Sequence, residues 1–447
     1  MQKDYLIDGK PMKVLTIFAL PMIIGNLFQQ MYTMVDSAVV GQYVSEQALA
    51  AVGASYSLTN VFVWIAVGGG IGASVLVSRY FGSKEYGKMK TAMYTAMLAF
   101  LGISIVLGIL GLVLGKSIMI ALRTPYDVLE LSVEYLRIYF LGLPFLFMYN
   151  VLSSMFNALG KSRIPLYFLI FSSLFNIALD FYMVTALHMG VAGVAWATLI
   201  AQGISAIMSF IILLLELKKM DGAAEKIFDY EECIQMAGIA LPSILQQSTV
   251  SIGMMLVQSV VNTFGSQALA GFSAGMRVES LCIVPMNAIS SAMSPYVAQN
   301  IGANKKERVV KGYHAANRLV IFFSVIICLA LEIFAHPIIT LFLGDNGTEV
   351  AMTTGINYLT FMGWFFCLIG FKMAVDGLLR GAGDMKMFTI ANLANLTIRV
   401  VLAFALAPQY GIQVVWMAVP IGWFVNWLIS YLEYRTGKWK KIYSATY

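Results

Sequence analysis

Long apolar runs separated by short polar or turn-rich breaks follow one another along the whole chain. The runs are continuous and lack every-second-residue alternation, so they predict helices and not the strands of a membrane barrel. A helix needs about 20 mostly apolar residues to cross the hydrocarbon core. Breaking the chain at its polar points gives twelve such stretches, at roughly 14–41, 50–78, 91–114, 131–155, 164–186, 190–215, 234–262, 268–298, 313–335, 352–378, 387–407 and 412–433.

Composition agrees with this pattern. The 447 residues are 59% hydrophobic and only 12% charged, with a mean hydropathy of +0.79. The expected fold is therefore all-α and integral to the membrane. The amino end carries charges of both signs and runs into an apolar stretch too long for a signal core, so it reads as an uncleaved start leading into the first span. Cys233, Cys282, Cys328 and Cys367 lie far apart in or beside predicted spans and read as small apolar filler, not as a disulfide framework or a metal site.

Charge sets the expected direction. Of the 29 basic residues, 22 fall in the two tails and in the breaks after spans 2, 4, 6, 8 and 10, while the opposite breaks hold only Lys116 and Arg123. The positive-inside rule then places both termini in the cytoplasm. The net charge of +6 is explained by those loops and implies no nucleic-acid partner.

The chain also repeats itself. ALPMIIGNLFQQ from Ala19 is answered by ALPSILQQ from Ala240, QALAAVGAS from Gln47 by QALAGFSAG from Gln267, and YLRIYF from Tyr135 by YLTFMG from Tyr358. RYFGSKEYGKMK from Arg79 likewise returns as QNIGANKKERVVK from Gln299. Six spans per repeat is an even number, so both halves enter the membrane in the same direction. The expected organisation is an amino-terminal lobe over 1–215, a cytoplasmic linker over 216–233 and a carboxyl-terminal lobe over 234–447. Two pseudo-symmetric six-helix lobes around a central cavity is transporter architecture, although function must be argued from a site.

Acids inside spans are costly, about 2.5–3.5 kcal/mol at a helix centre, so those present are informative. They are Asp36, Asp180, Glu279, Glu332 and Asp376. Asp36 in span 1 and Asp180 in span 5 both lie roughly 9–10 Å below the outer surface at 1.5 Å per residue, and Thr198 in span 6 roughly 12 Å. Asn176 lies four residues before Asp180, on the same helix face. Two carboxylates, a carboxamide and a hydroxyl at one depth suit a hard monovalent cation such as sodium, or a carboxylate pair sharing a proton. Structural hydrogen bonding in a polar crevice is the plain alternative for either acid alone. The repeat favours function, because Val257, Arg399 and Ala403 stand where the first half has Asp36, Asn176 and Asp180.

The second half has polar residues of its own. Gln247, Ser251, Gln258 and Asn262 share helical spacing in span 7. Arg277 and Glu279 read as a buried compensating network that includes Arg399, or Glu279 draws a cationic substrate inward. Lys372, Asp376 and Arg380, spaced by four, read as a self-neutralising stripe. Pro21 interrupts the hydrogen-bond ladder of span 1 and, with Gly25, permits a bend in the helix that carries Asp36. Abundant Met, Phe and Tyr would give a soft lining suited to varied flat organic cations.

At VDSAVVGQ with Asp36, NALGKSR, LFNIALDF, GVAGVAWAT and the ALP that opens spans 1 and 7, the chain resembles the multidrug and toxic compound extrusion (MATE) transporters over nearly its whole length. The resemblance implies export of cationic or amphipathic compounds in exchange for protons or sodium ions, by alternating access. It implies that Asp36, Asn176, Asp180 and Thr198 form the cation site and that Gln29, Tyr32, Asn150 and Ser173 line the adjoining pocket. Some members carry a cation-binding acid in span 7, where this chain has only Gln246 and Gln247 in the first half of the helix.

Two other readings compete. A lipid-linked precursor flippase of similar plan would show more basic residues in its cavity, and a non-transporting membrane scaffold would leave the asymmetric acids unexplained. No nucleotide-binding loop or catalytic constellation is visible, so the chain reads as a non-enzyme without cofactor. It is expected to be a multi-pass monomer of the cell membrane, driven by an ion gradient.

Overall fold

The computed structural model describes residues 5–344 and 347–440, with the side chains of Asp36, Ser37 and Glu46 outside the described set. The described residues form helices and no strands. In chain order these are α1 (Tyr5–Asp8), α2 (Pro11–Tyr43), α3 (Glu46–Ser83), α4 (Tyr86–Ala121), α5 (Tyr126–Ala158), α6 (Arg163–Phe181), α7 (Gly190–Lys218) and α8 (Tyr230–Asn262). They continue as α9 (Ser266–Cys282), α10 (Val284–Gly302), α11 (Lys306–Leu343), α12 (Glu349–Gly363), α13 (Phe366–Ala382), α14 (Met385–Tyr410) and α15 (Gln413–Thr436). A π-helical turn, Tyr182–Ala186, extends α6, and a 3-10 turn, Lys438–Lys440, follows α15.

Among the described residues, eleven segments are long and apolar enough to cross a membrane, and α12 with α13 makes a twelfth as a pair bent by 54°. The protein is thus an all-α, multi-pass membrane protein. The expected span at 352–378 is not one straight helix. Its ladder breaks at Trp364 and Phe365, after Gly363.

The sequence repeat recurs in the backbone. Left-handed residues end the helices at matching places, Lys84 (φ 63°) with Asn304 (φ 56°) and Gly160 (φ 76°) with Gly383 (φ 78°). The two non-glycine positions adopt a conformation that L residues rarely take, which makes their recurrence informative.

The chain divides into two compact units, Ile24–Ile244 and the described part of Met1–Ile23 with Leu245–Tyr447. The divisions run through α2 and α8, two residues after the matching prolines Pro21 and Pro242. They do not fall in the helix-free segment 219–229, because hydrogen bonds fix that segment within the first unit. The buried Lys90 ammonium on α4 donates to Met220 O at 2.9 Å and Gly222 O at 2.5 Å. Thr91 and Thr95 accept from the Lys226 and Asp229 amides, and Tyr80 donates to Glu232 at 2.6 Å. Lys90→Met would leave both carbonyls without this donor, and the melting temperature of the purified protein is expected to fall by the equivalent of about 1–3 kcal/mol.

In the first unit α3, α4 and α5 enclose a core that includes Leu76, Met93, Phe147 and Phe156. In the second, Leu6, Leu15 and Phe18 join Tyr296, Tyr313 and Trp439. Arg308 on α11 holds the start of the chain there by donating to Gly9 O at 2.6 Å. Helices α10 and α13 approach closely because Gly377 and Gly381 lack side chains: a Cβ would lie 2.5 Å from Ser290 O and 2.4 Å from Ser294 O. Small residues four apart are the usual means of bringing membrane helices together.

Candidate functional site

One turn of α6 carries the polar chemistry of the first unit. Asn176 and Asp180, four residues apart, are buried at 2% and 0% exposure, and Ser173 is buried one turn earlier. Tyr32 of α2 donates its hydroxyl to Asn176 Oδ1. Asn176 Nδ2 points at Thr198 Oγ1 of α7, 3.4 Å away, and Thr198 itself donates to Val194 O at 3.0 Å. The Asn176 amide fits reversed as well, its nitrogen then donating to Asp180 Oδ2 at 3.3 Å and its oxygen accepting from the Thr198 amide at 3.0 Å. Three helices thus bring Tyr32, Asn176, Asp180 and Thr198 into one polar group inside an apolar unit.

Other expected residues take different positions. Asp36 lies in α2, but its side chain falls outside the described residues. Gln29 is exposed on the same helix. Asn150 donates to Leu146 O on its own helix, at 2.8 Å. Pro21 and Gly25 are buried within α2, on either side of the division between units.

Two features were not read from the sequence. Immediately after Asp180 the helix widens into the π turn at Tyr182–Ala186, a distortion frequent at functional sites. A small cavity beside Thr198 is lined by Tyr135, Tyr139, Leu146 and Gln202. Signals for two of these existed: Gln202 lies one helical turn after Thr198, and Tyr135 is the repeat partner of Tyr358.

The second unit is built differently at the matching places. Val257 and Ala403, which stand for Asp36 and Asp180, are apolar core at 4% and 0% exposure. Glu279 of α9 is buried, and its partner is Tyr358 of α12, which donates to Oε2. Arg399 and Glu279 line one small cavity with Met254, Val257 and Phe272. The expected network with Arg277 is corrected, because Arg277 is exposed.

The stripe of α13 holds in its first two members. Lys372 and Asp376 do pair, at 3.0 Å, but deep in the unit, at 4% and 2% exposure. Arg380 turns instead towards Ser290, whose carbonyl lies 3.4 Å away.

The MatE family model matches twice, at residues 21–182 and 242–405, with starts 221 residues apart. The chain is 27% identical over 434 residues to the probable multidrug resistance protein YpnP of Bacillus subtilis (strain 168), covering 97% of each. It is 24% identical over 420 residues to the multidrug export protein MepA of Staphylococcus haemolyticus, covering 93% of this chain and 91% of that one. In fold it is similar to a solved MOP superfamily transporter from Pyrococcus furiosus, with a TM-score of 0.91, 23% identity and coverage of 99% and 98%. With a family model matched once in each half and full-length relatives that are multidrug proteins, this chain belongs to the MatE family of multidrug efflux transporters.

Proposed function

We propose that the protein is a secondary active exporter of cationic or amphipathic organic compounds, driven by inward flow of protons or sodium ions. The observation that carries this reading is the buried carboxylate of Asp180 within the Tyr32, Asn176 and Thr198 group, set against Ala403 at the matching place of the other half. A site needed only to build a half would recur in both.

The donors are oxygen atoms: a carboxylate, a carboxamide and a hydroxyl, joined by Asp36 of α2 in this proposal. That set suits a proton on the carboxyl pair or a sodium ion among the oxygens. Gln29, Tyr32, Asn150 and Ser173 line the substrate pocket, and Glu279 attracts cationic compounds towards it. Filling the site stabilises one state of α2, with Pro21 and Gly25 as its hinge, and the transporter alternates its access. An ion can shift that equilibrium only by the difference in its affinity for the two states. Along the sequence the two repeats fall in 1–215 and 234–447 with 216–233 between them, both termini face the cytoplasm, and the monomer is the working unit.

Uptake of a fluorescent cationic dye into proteoliposomes, with sodium and proton gradients imposed separately, tests the reading. One gradient is expected to drive accumulation well above passive leak, and Asp36→Asn and Asp180→Asn to remove that dependence. Dye movement indifferent to both gradients would overturn it.

A further inference from the structure

The buried pair on α13 belongs to a larger arrangement. Lys372 Nζ lies 3.0 Å from Asp376 Oδ2 and donates to Asn392 Oδ1 of α14, also at 3.0 Å. Both groups are held from behind, the carboxylate through its other oxygen. Ser430 of α15 donates to Asp376 Oδ1 at 3.1 Å, and Asn426 donates to Asn392 Oδ1 at 3.1 Å. Gln246 of α8 approaches the same Asn392 oxygen at 3.5 Å, and Asn392 Nδ2 lies 3.5 Å from Asp376 Oδ2. Four helices of one unit therefore aim a carboxylate and an amide carbonyl at a single point, and the ammonium stands there.

A surface ion pair needs no such support. In a buried unit, a lone charge would be strongly destabilising, and a pair persists only when its remaining hydrogen bonds are met. The repeat shows that the architecture itself does not require these charges. At the 223-residue offset that relates Tyr358 to Tyr135, Lys372 and Asp376 correspond to Tyr149 and Ser153.

We infer that Asp376 and Asn392, positioned by Ser430, Asn426 and Gln246, form a monovalent-cation site in the carboxyl-terminal half whose resident cation is the protein's own Lys372 ammonium. The half carries its cation on a tether, which leaves exchange of free ions to other residues. This inference does not depend on the ion assigned to Asp180, and its test reads cation binding and not transport.

Lys372→Ala removes a group the size of propylammonium and leaves the oxygens in place. Purified Lys372→Ala is expected to melt at a lower temperature than the parent. Added propylammonium should restore most of that shift with saturation, whereas choline, which has no N–H to donate, should not. The parent and Lys372→Ala/Asp376→Asn should show no such response. Equal effects of propylammonium on all three proteins, or none on Lys372→Ala, would overturn the inference. So would a Lys372→Ala protein that cannot be recovered folded even in propylammonium while the double variant can.

Discussion

Asp180→Asn is expected to abolish ion-driven export while leaving a folded membrane protein. The carboxyl group is wholly buried and faces Asn176, whose amide can donate to it at 3.3 Å, with Thr198 across from that amide. The asparagine keeps shape and hydrogen-bonding capacity but loses the charge. Interactions that involve a charged group contribute about 1.5–3 kcal/mol, so affinity for the driving cation should fall by roughly 10- to 100-fold. The residues proposed for the substrate pocket are unchanged, so dye counterflow without any ion gradient should persist. Gradient-driven accumulation should drop to the leak rate. Measuring both in the same proteoliposomes separates lost coupling from lost protein, and stability should hold because a buried charge has been removed.

The second large effect concerns Asp376. With Asp376→Leu, the Lys372 ammonium stays at 4% exposure without its carboxylate. Removing one member of a buried pair typically destabilises by about 3–5 kcal/mol, while replacing both with apolar groups of similar volume is often neutral. Asp376→Leu should therefore lower the melting temperature sharply, and Lys372→Met/Asp376→Leu should recover most of the loss. A double-mutant cycle measures this directly, since residues in contact depart from additivity. Additive losses in the double variant would show that the two side chains act independently.

Much of this was legible in the sequence because lipid leaves a chain few options. Spans had to be apolar and about 20 residues long, and repeated phrases such as QALA at Gln47 and Gln267 exposed the two halves. Asn176 and Asp180 were visible as a pair because four residues make one helical turn, and Thr198 because depth can be counted. What depended on helix rotation was not legible. Arg277 lies two residues from Glu279 yet on another face, while Tyr358, 79 residues away, supplies the hydrogen bond. Lys372 and Asp376 were recognisable as partners, but Asn392, Asn426 and Ser430 come from two other helices that no local spacing connects. The bend at Trp364 and Phe365 lies inside an apolar run with no proline to announce it.

In the proposed mechanism the amino-terminal half holds the exchangeable cation. Equilibrium binding of the driving ion to purified protein, by radiolabelled sodium or by proton release on drug addition, tests it most directly. The parent should bind one such ion per chain, and Asp180→Asn should need roughly 10- to 100-fold more ion for the same occupancy; equal binding by both would place the exchangeable cation elsewhere.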